Sequence, residues 1–102
     1  MYTYSQVEMK VINWGEQRRI IPNSKPHTQL LKAVSEMGEL ADAEIKGDMP
    51  AIKDGVGDVL VCLIMYAALR DIDLVQCLNT AYDAIKDRKG TLMPNGVFVK
   101  DA

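Results

Sequence analysis

Apolar residues recur with a helical period along most of the chain. Tyr4, Val7, Val11 and Trp14 fall at i, i+3, i+7 and i+10, one stripe of a first helix, and Ser5 with Glu8 has the spacing of a capping box. That stripe fades near Arg19 to Ile21. Pro22-Asn23-Ser24-Lys25-Pro26 is turn chemistry, and Pro26 suits the first turn of a second helix running to about Lys46. Gly47 is a natural left-handed stop, and Asp48 with Pro50 a restart, so a third helix is expected from about Pro50 to Arg70 after a tight break. Its segment Val59 to Leu69 is apolar on every side, the pattern of a helix surrounded by protein. Asp73, with Gln76 three residues on, caps a fourth helix whose stripe is Leu74, Leu78, Ala81 and Ile85. Lys86, Arg88 and Lys89 complement the negative end of its dipole, and Gly90 is expected to end it. Thr91-Leu92-Met93 and Val97-Phe98-Val99 flank Pro94-Asn95-Gly96, a short hairpin signal.

The predicted class is therefore all-α: four helices with a short C-terminal β-hairpin, as one domain over residues 1–102, a length that suits a single core. So few residues can hardly enclose a helix that is apolar all round. A homo-oligomer solves this, a two-fold dimer being the commonest form. Charged residues make up 25% and apolar ones 48%, which marks a folding chain and not a disordered one. A net charge of −2 gives no electrostatic reason to expect binding to duplex nucleic acid, whereas a single nucleotide stays open because a metal ion can supply positive charge locally. Cys62 and Cys77 lie in apolar surroundings and read as reduced core residues. Neither a disulfide framework nor a zinc site is suggested. Met1 to Lys10 lacks an apolar signal core and the Val59–Leu69 run is too short to span a bilayer, so no membrane association and a cytoplasmic location are expected.

Candidate chemistry concentrates on the middle helices. Gln29, Lys32, Glu36 and Glu39 fall at i, i+3, i+7 and i+10 and share one stripe, with Leu30, Ala33, Met37 and Leu40 to one side. On the third helix Asp54 and Asp58 share a face. Asp58 opens the apolar run, continued on its stripe by Val61 and Met65, and should be half-buried. A lone buried carboxylate is costly, so it takes up a proton or finds a cation, and with three further acids nearby a hard metal ion is the economical partner. Taken alone, Glu36 and Glu39 read more simply as a solvated helix face, and a salt bridge from Asp58 to Lys32 or Lys86 would satisfy the same physics. Asn79, Asp83 and Lys86 form a polar stripe on the fourth helix, from which Lys86 could meet a phosphate. Trp14 is either core or a stacking platform for a base. His27, in a turn, reads as a surface residue.

Trp14, Gln29, Lys32, Glu36-Met37-Gly38-Glu39-Leu40, Gly57-Asp58-Val59-Leu60 and Ile85-Lys86-Asp87-Arg88-Lys89-Gly90, in this order, resemble the MazG-like all-alpha nucleoside triphosphate pyrophosphohydrolases, especially short phage-type members. The resemblance covers about Trp14 to Val99. It implies a four-helix fold, a homodimer or homotetramer, and Mg2+, with Mn2+ as a substitute. The implied activity is cleavage of nucleoside or deoxynucleoside triphosphates between the α and β phosphates, giving monophosphate and pyrophosphate. Position by position, Glu36 and Glu39 match the first acidic pair and Asp58 the terminal aspartate of the second motif, the expected catalytic and metal-holding set. The family pattern has glutamates where Ser35 and Gly55 stand here. Asp54 can substitute as a metal ligand from one residue earlier, with a shorter arm. Lys32 and Lys86 match basic positions that would face phosphates. Gln29, Trp14 and Asn79 match expected substrate contacts, and Asp83 shares the stripe of Asn79. Glu36 is the acid expected to orient or deprotonate the attacking water. Two other readings stay open. One is a helical binding or regulatory module whose turnover is lost because Ser35 and Gly55 thin out its acids. The other is a pyrophosphohydrolase of a modified or phosphoribosyl nucleotide.

Overall fold

A computed structural model describes residues 1–102. The elements run α1 (Tyr4–Gln17), α2 (Ile20–Asn23), α3 (Pro26–Lys46), α4 (Met49–Arg70), α5 (Leu74–Ile85), β1 (Gly90–Leu92) and β2 (Phe98–Lys100). The four long helices and the hairpin are those expected, and their boundaries are set by local chemistry. α3 starts with Pro26 at its first position and stops at Gly47, whose φ is 69°. The Asp48 side chain then accepts from the Ala51 N–H and starts α4 at once. Asp73 caps α5 by accepting from the N–H groups of Val75 at 2.9 Å and Gln76 at 3.2 Å.

Three local expectations are corrected. The capping box of α1 is Thr3 with Gln6, not Ser5 with Glu8: Gln6 N–H donates to Thr3 Oγ1 at 3.2 Å and Thr3 N–H to Gln6 Oε1 at 2.9 Å. The same spacing of residue types occurs two positions upstream, so the helix starts earlier and Glu8 instead accepts the Tyr4 hydroxyl at 2.7 Å. That bond, after burial, helps push the Tyr4 hydroxyl up to about 12, with the charges of Glu8 and Asp73 adding to it. The turn after α1 holds one short helical turn, α2, entered through Arg19 in the left-handed region (φ 63°). Finally, α5 ends at Ile85 rather than at Gly90. Residues 86–89 turn away, and Gly90 opens β1 opposite Lys100, where a Cβ would run into the Val99 carbonyl and the Phe98 ring. Lys86 therefore caps the helix, and Arg88 and Lys89 lie beyond it.

Packing is dominated by α3 against α4, with α1 and α2 laid against α4 and α5 touching α4 only slightly. At the centre of the α3–α4 seam Gly55 is buried, and its missing side chain lets the helices approach: a Cβ there would lie 3.1 Å from Leu40 Cδ1 and 3.2 Å from Leu40 Cβ. The fully enclosed side chains, Ala43, Cys62, Ile64, Met65 and Ala67, lie mostly on α4, the helix read as apolar all round. Its second half is covered on every side, whereas its first half leaves Val56 and Leu60 exposed. Cys77 is exposed on α5, which corrects the expectation that both cysteines are core residues. The radius of gyration is 16.3 Å, against about 13 Å for a compact domain of this length. No helix is long and apolar enough to cross a membrane.

Candidate active site

A cavity of about 240 Å³ opens where α1, α2, α3 and α4 meet. α1 contributes Trp14, α2 Ile20, α3 the stripe Gln29, Lys32 and Glu36, and α4 the stripe Asp58, Val61, Cys62 and Met65. The two stripes face each other because residues three or four apart on a helix lie one above the other. The cavity is consequently graded. Lys32, Glu36 and Asp58 make a charged end, and Trp14, Ile20, Val61 and Met65 an apolar one, with Gln29 the further polar side chain in its lining.

Glu36 and Glu39, one helical turn apart, bring their carboxyl groups within hydrogen-bonding reach. Two carboxylates are both acceptors, so the contact favours the protonated form of Glu36. The Glu36 carboxyl is accordingly raised above its ordinary range: first by that bond, then by desolvation and by the negative charges of Glu39 and Asp58, with Lys32 pulling the other way. Cys62, deeper in the cavity, senses the same field. Burial raises its thiol most, Glu36 and Asp58 raise it further, and Lys32 lowers it. Asp58 is half-buried, as its place at the head of the apolar run implies, and it forms no salt bridge with Lys32 or Lys86.

The fit of this set to a hard cation is partial in form and good in chemistry. As the side chains are oriented, no three His, Cys, Asp or Glu groups form a closed metal cage. Two neighbouring carboxyls that repel each other when both are ionised, with Asp58 as a third acid in the cavity lining, are nevertheless a donor set whose repulsion a divalent ion relieves.

Other expected site residues stand elsewhere. Asp54 is exposed and outside the cavity lining. Asn79, Asp83 and Lys86 lie on α5, which does not reach the cavity in the protomer. There Lys86 Nζ pairs with Asp83 Oδ1 at 3.3 Å on an exposed surface. Trp14 is 45% exposed; Arg18 lies over its ring with the guanidinium carbon 5.5 Å from the centroid. Beyond Trp14 and Val61 the cavity continues into an almost wholly apolar groove that Val11 and the Lys10 stem complete. Ile20, Val61, Cys62 and Met65 were not singled out for the site as a set. The stripe Asp58, Val61, Met65 was the available signal. For Ile20 there was none, because it arrives through an irregular turn.

Residues 24–93, about two thirds of the chain, match the MazG nucleotide pyrophosphohydrolase domain. The chain belongs to this family. Over 75 residues it is 32% identical to an uncharacterized 18.2 kDa protein from the rep-hol intergenic region of Haemophilus phage HP1 (strain HP1c1). That match takes in 74% of this chain and 46% of the phage protein, so the chain spans just under half the length of that relative. In three dimensions it is similar to the cyanophage S-2L MazG-like pyrophosphohydrolase bound to dGDP and three catalytic Mn2+ ions per active site. The TM-score is 0.72 and the identity 20%, over 99% of this chain and 95% of the cyanophage one. The MazG-like fold expected from the sequence is thus the fold observed, and its acid-bearing helices are α3 and α4.

Proposed function

We propose that this chain hydrolyses nucleoside or deoxynucleoside triphosphates to the monophosphate and pyrophosphate with a divalent cation, Mg2+ in the first instance. The observation that carries the proposal is the graded cavity: Glu36, Asp58 and Lys32 at one end, with Glu39 one helical turn beyond Glu36 and outside the lining, and an indole at the other. This polarity matches a molecule that is polyanionic at one end and flat and aromatic at the other. That the cyanophage protein of the same fold is described with dGDP and Mn2+ bound supports the same assignment.

Glu36, Glu39 and Asp58 would hold the cation, Asp54 joining only if its side chain turned inward. When bound, such an ion neutralises charge on the triphosphate oxygens and on the leaving pyrophosphate. The chain's own groups do the rest. Lys32 supplies a fixed positive charge to phosphate oxygens, and Trp14 offers a ring face to the base. Water attacks the α-phosphorus, the bond to the bridging oxygen of the β-phosphate breaks, and the water's proton passes to a carboxylate that the cation does not fully engage, Glu36 in this reading. Asn79, Asp83 and Lys86 could reach substrate only through another copy of the chain.

The same reading includes a homo-oligomer, a dimer or tetramer. A compact monomer of 11.3 kDa exposes about 5,700 Å², whereas this protomer exposes 8038 Å². The excess, roughly 2,300 Å² per chain, is of the size that obligate interfaces cover, and it includes Leu31, Val34 and Leu78, each more than half exposed.

The deciding experiment is phosphorus NMR of the products from a panel of triphosphates, with and without Mg2+, for the wild type and Asp58→Asn, alongside light scattering. Monophosphate and pyrophosphate that require Mg2+ and disappear in the variant support the proposal. Tight nucleotide binding without pyrophosphate would replace it with a binding module, the reading that Ser35, Gly55 and the unclosed acid cage favour. Cleavage confined to a modified or phosphoribosyl nucleotide would keep the chemistry and change the substrate.

A further inference from the structure

Gln29 is the one polar side chain of the molecule that is buried, at 9% exposure, and it lines the cavity. Its amide nitrogen Nε2 donates to Ser24 Oγ at 3.2 Å. Its carbonyl oxygen Oε1 has no hydrogen-bond partner in the protein, yet no fully enclosed side-chain polar atom of the chain is left unsatisfied. Oε1 therefore keeps some accessible surface, and the cavity is the opening that Gln29 lines. A buried amide kept at the cost of desolvation, with one end tied and the other facing empty space, is arranged for a ligand that brings a donor.

The position along α3 says which part of a nucleotide that donor belongs to. Gln29 lies seven residues before Glu36, about 10.5 Å along the helix at 1.5 Å per residue. This is roughly the reach from a phosphate held at the acids, across the sugar, to the edge of the base. Sugar hydroxyls fall nearer the acids. Gln29 also shares the apolar end of the cavity with Trp14 and Ile20, where the base ring would lie.

We infer that Gln29 is a base-reading residue, its Oε1 accepting an N–H from the edge of the nucleobase, and that Ser24 is a positioning residue which holds the amide with that oxygen toward the cavity. The inference rests on the nucleotide assignment above. Ser24 suits this task because it is itself fixed: it closes α2, its N–H donates to the Ile20 carbonyl at 2.7 Å, and its side chain is half-buried at the mouth of α3. A site built around a buried acceptor rejects ligands lacking the donor far more strongly than an apolar slot rejects a change of shape.

Trp14, the only tryptophan, lines the same cavity and provides a binding signal independent of turnover. Its fluorescence is titrated in the presence of Mg2+ with nucleotide pairs differing only in a base N–H: ATP against purine riboside triphosphate, GTP against ITP, and UTP against its N3-methyl derivative. ATP against dATP serves as the sugar control. Pyrophosphate release is followed in parallel. In wild type at least one base pair should show tenfold or greater preference for the donor-bearing member. Gln29→Ala should bring that ratio to within twofold, and Ser24→Ala, in which the amide is free to turn over, should shrink it while the fold is retained by circular dichroism. If no base pair exceeds twofold in wild type, if only the sugar pair does, or if the ratio survives in both variants, the inference is overturned. Should Gln29→Ala fail to fold, Ser24→Ala decides. A base preference without pyrophosphate would sink the hydrolase reading alone. Pyrophosphate without a base preference would sink this inference alone, and the absence of both would sink the two together.

Discussion

Gly55→Ala adds a single methyl at the narrowest point between the two acid-bearing helices. Two terms oppose one another. Alanine in place of glycine in a helix interior is worth about 1 kcal/mol of stability. The added Cβ, however, would stand 3.1 Å from Leu40 Cδ1, 3.2 Å from Leu40 Cβ and 3.4 Å from Leu40 Cα. Cδ1 can rotate away, but Cβ and Cα cannot, so α3 and α4 must separate by a few tenths of an ångström. Overpacking of this kind costs about 1–3 kcal/mol, which leaves a net loss of about 0–2 kcal/mol. The separation also reaches the site, because Leu40 lies one turn beyond Glu36 and position 55 one turn before Asp58. Widening the seam draws Asp58 away from the Glu36–Glu39 pair. Urea unfolding at one fixed protein concentration should show a lower midpoint with an unchanged slope, and calorimetric titration should show weakened Mg2+ binding. Gly55→Glu, which restores the acid of the family pattern, starts from the same crowded Cβ and should lose stability without gaining affinity. A higher midpoint for Gly55→Ala with undiminished Mg2+ affinity would refute the reasoning, since helix propensity would then have won and the seam would have room.

Three further outcomes follow from particular contacts. The Glu36 carboxyl binds its proton more tightly folded than at its ordinary 4.5, so its contribution to stability is fully present below that value and is lost as pH rises through the raised one. Without metal, the urea midpoint of Glu36→Gln should therefore gain on wild type between pH 4 and 7, and a constant difference across that window would contradict the carboxyl contact. Met65 is 2% exposed and forms the cavity floor, so Met65→Ala should cost about 2–5 kcal/mol in the same unfolding assay; a loss under about 1 kcal/mol would mean the floor collapses to fill the gap. Lys86→Ala removes only an exposed i,i+3 pair with Asp83 and should change stability by less than about 0.5 kcal/mol. A several-fold rise in KM for a triphosphate in that variant would show that α5 of another copy reaches the cavity.

The middle of the chain was legible because its signals are local and periodic. Gly47 followed by Asp48 fixes a helix stop and restart within two residues, and the spacing of Gln29, Lys32, Glu36 and Asp58 fixes which side chains share a face. Once α3 and α4 pack, those faces meet. What stayed hidden depends on chain segments whose path no period records. Ile20 enters the cavity from the short α2 and Ser24, just after it, holds Gln29, and nothing in Pro22-Asn23-Ser24-Lys25-Pro26 distinguishes a support of the site from an ordinary turn. The end of α5 was misplaced for a related reason: Gly90 reads locally as a helix stop, but its pairing with Lys100 recruits it into a strand.

The two departures from the family pattern are not equivalent in this fold. Ser35 is exposed on α3 and occupies no contact that another residue needs, so a glutamate there could be gained or lost with little consequence for packing. Gly55 is buried at the seam, and a glutamate there would demand a wider helix spacing along its whole length. Absence of that acid is thus tied to how closely α3 and α4 approach, and close approach is what sets Asp58 against Glu36, whose carboxyl its charge helps to raise. A chain with fewer acids held nearer together can still favour a cation, because repulsion between like charges grows as their separation falls. Acid count and seam spacing are therefore linked: a glutamate at position 55 adds a carboxylate only by moving α3 away from α4 at Leu40.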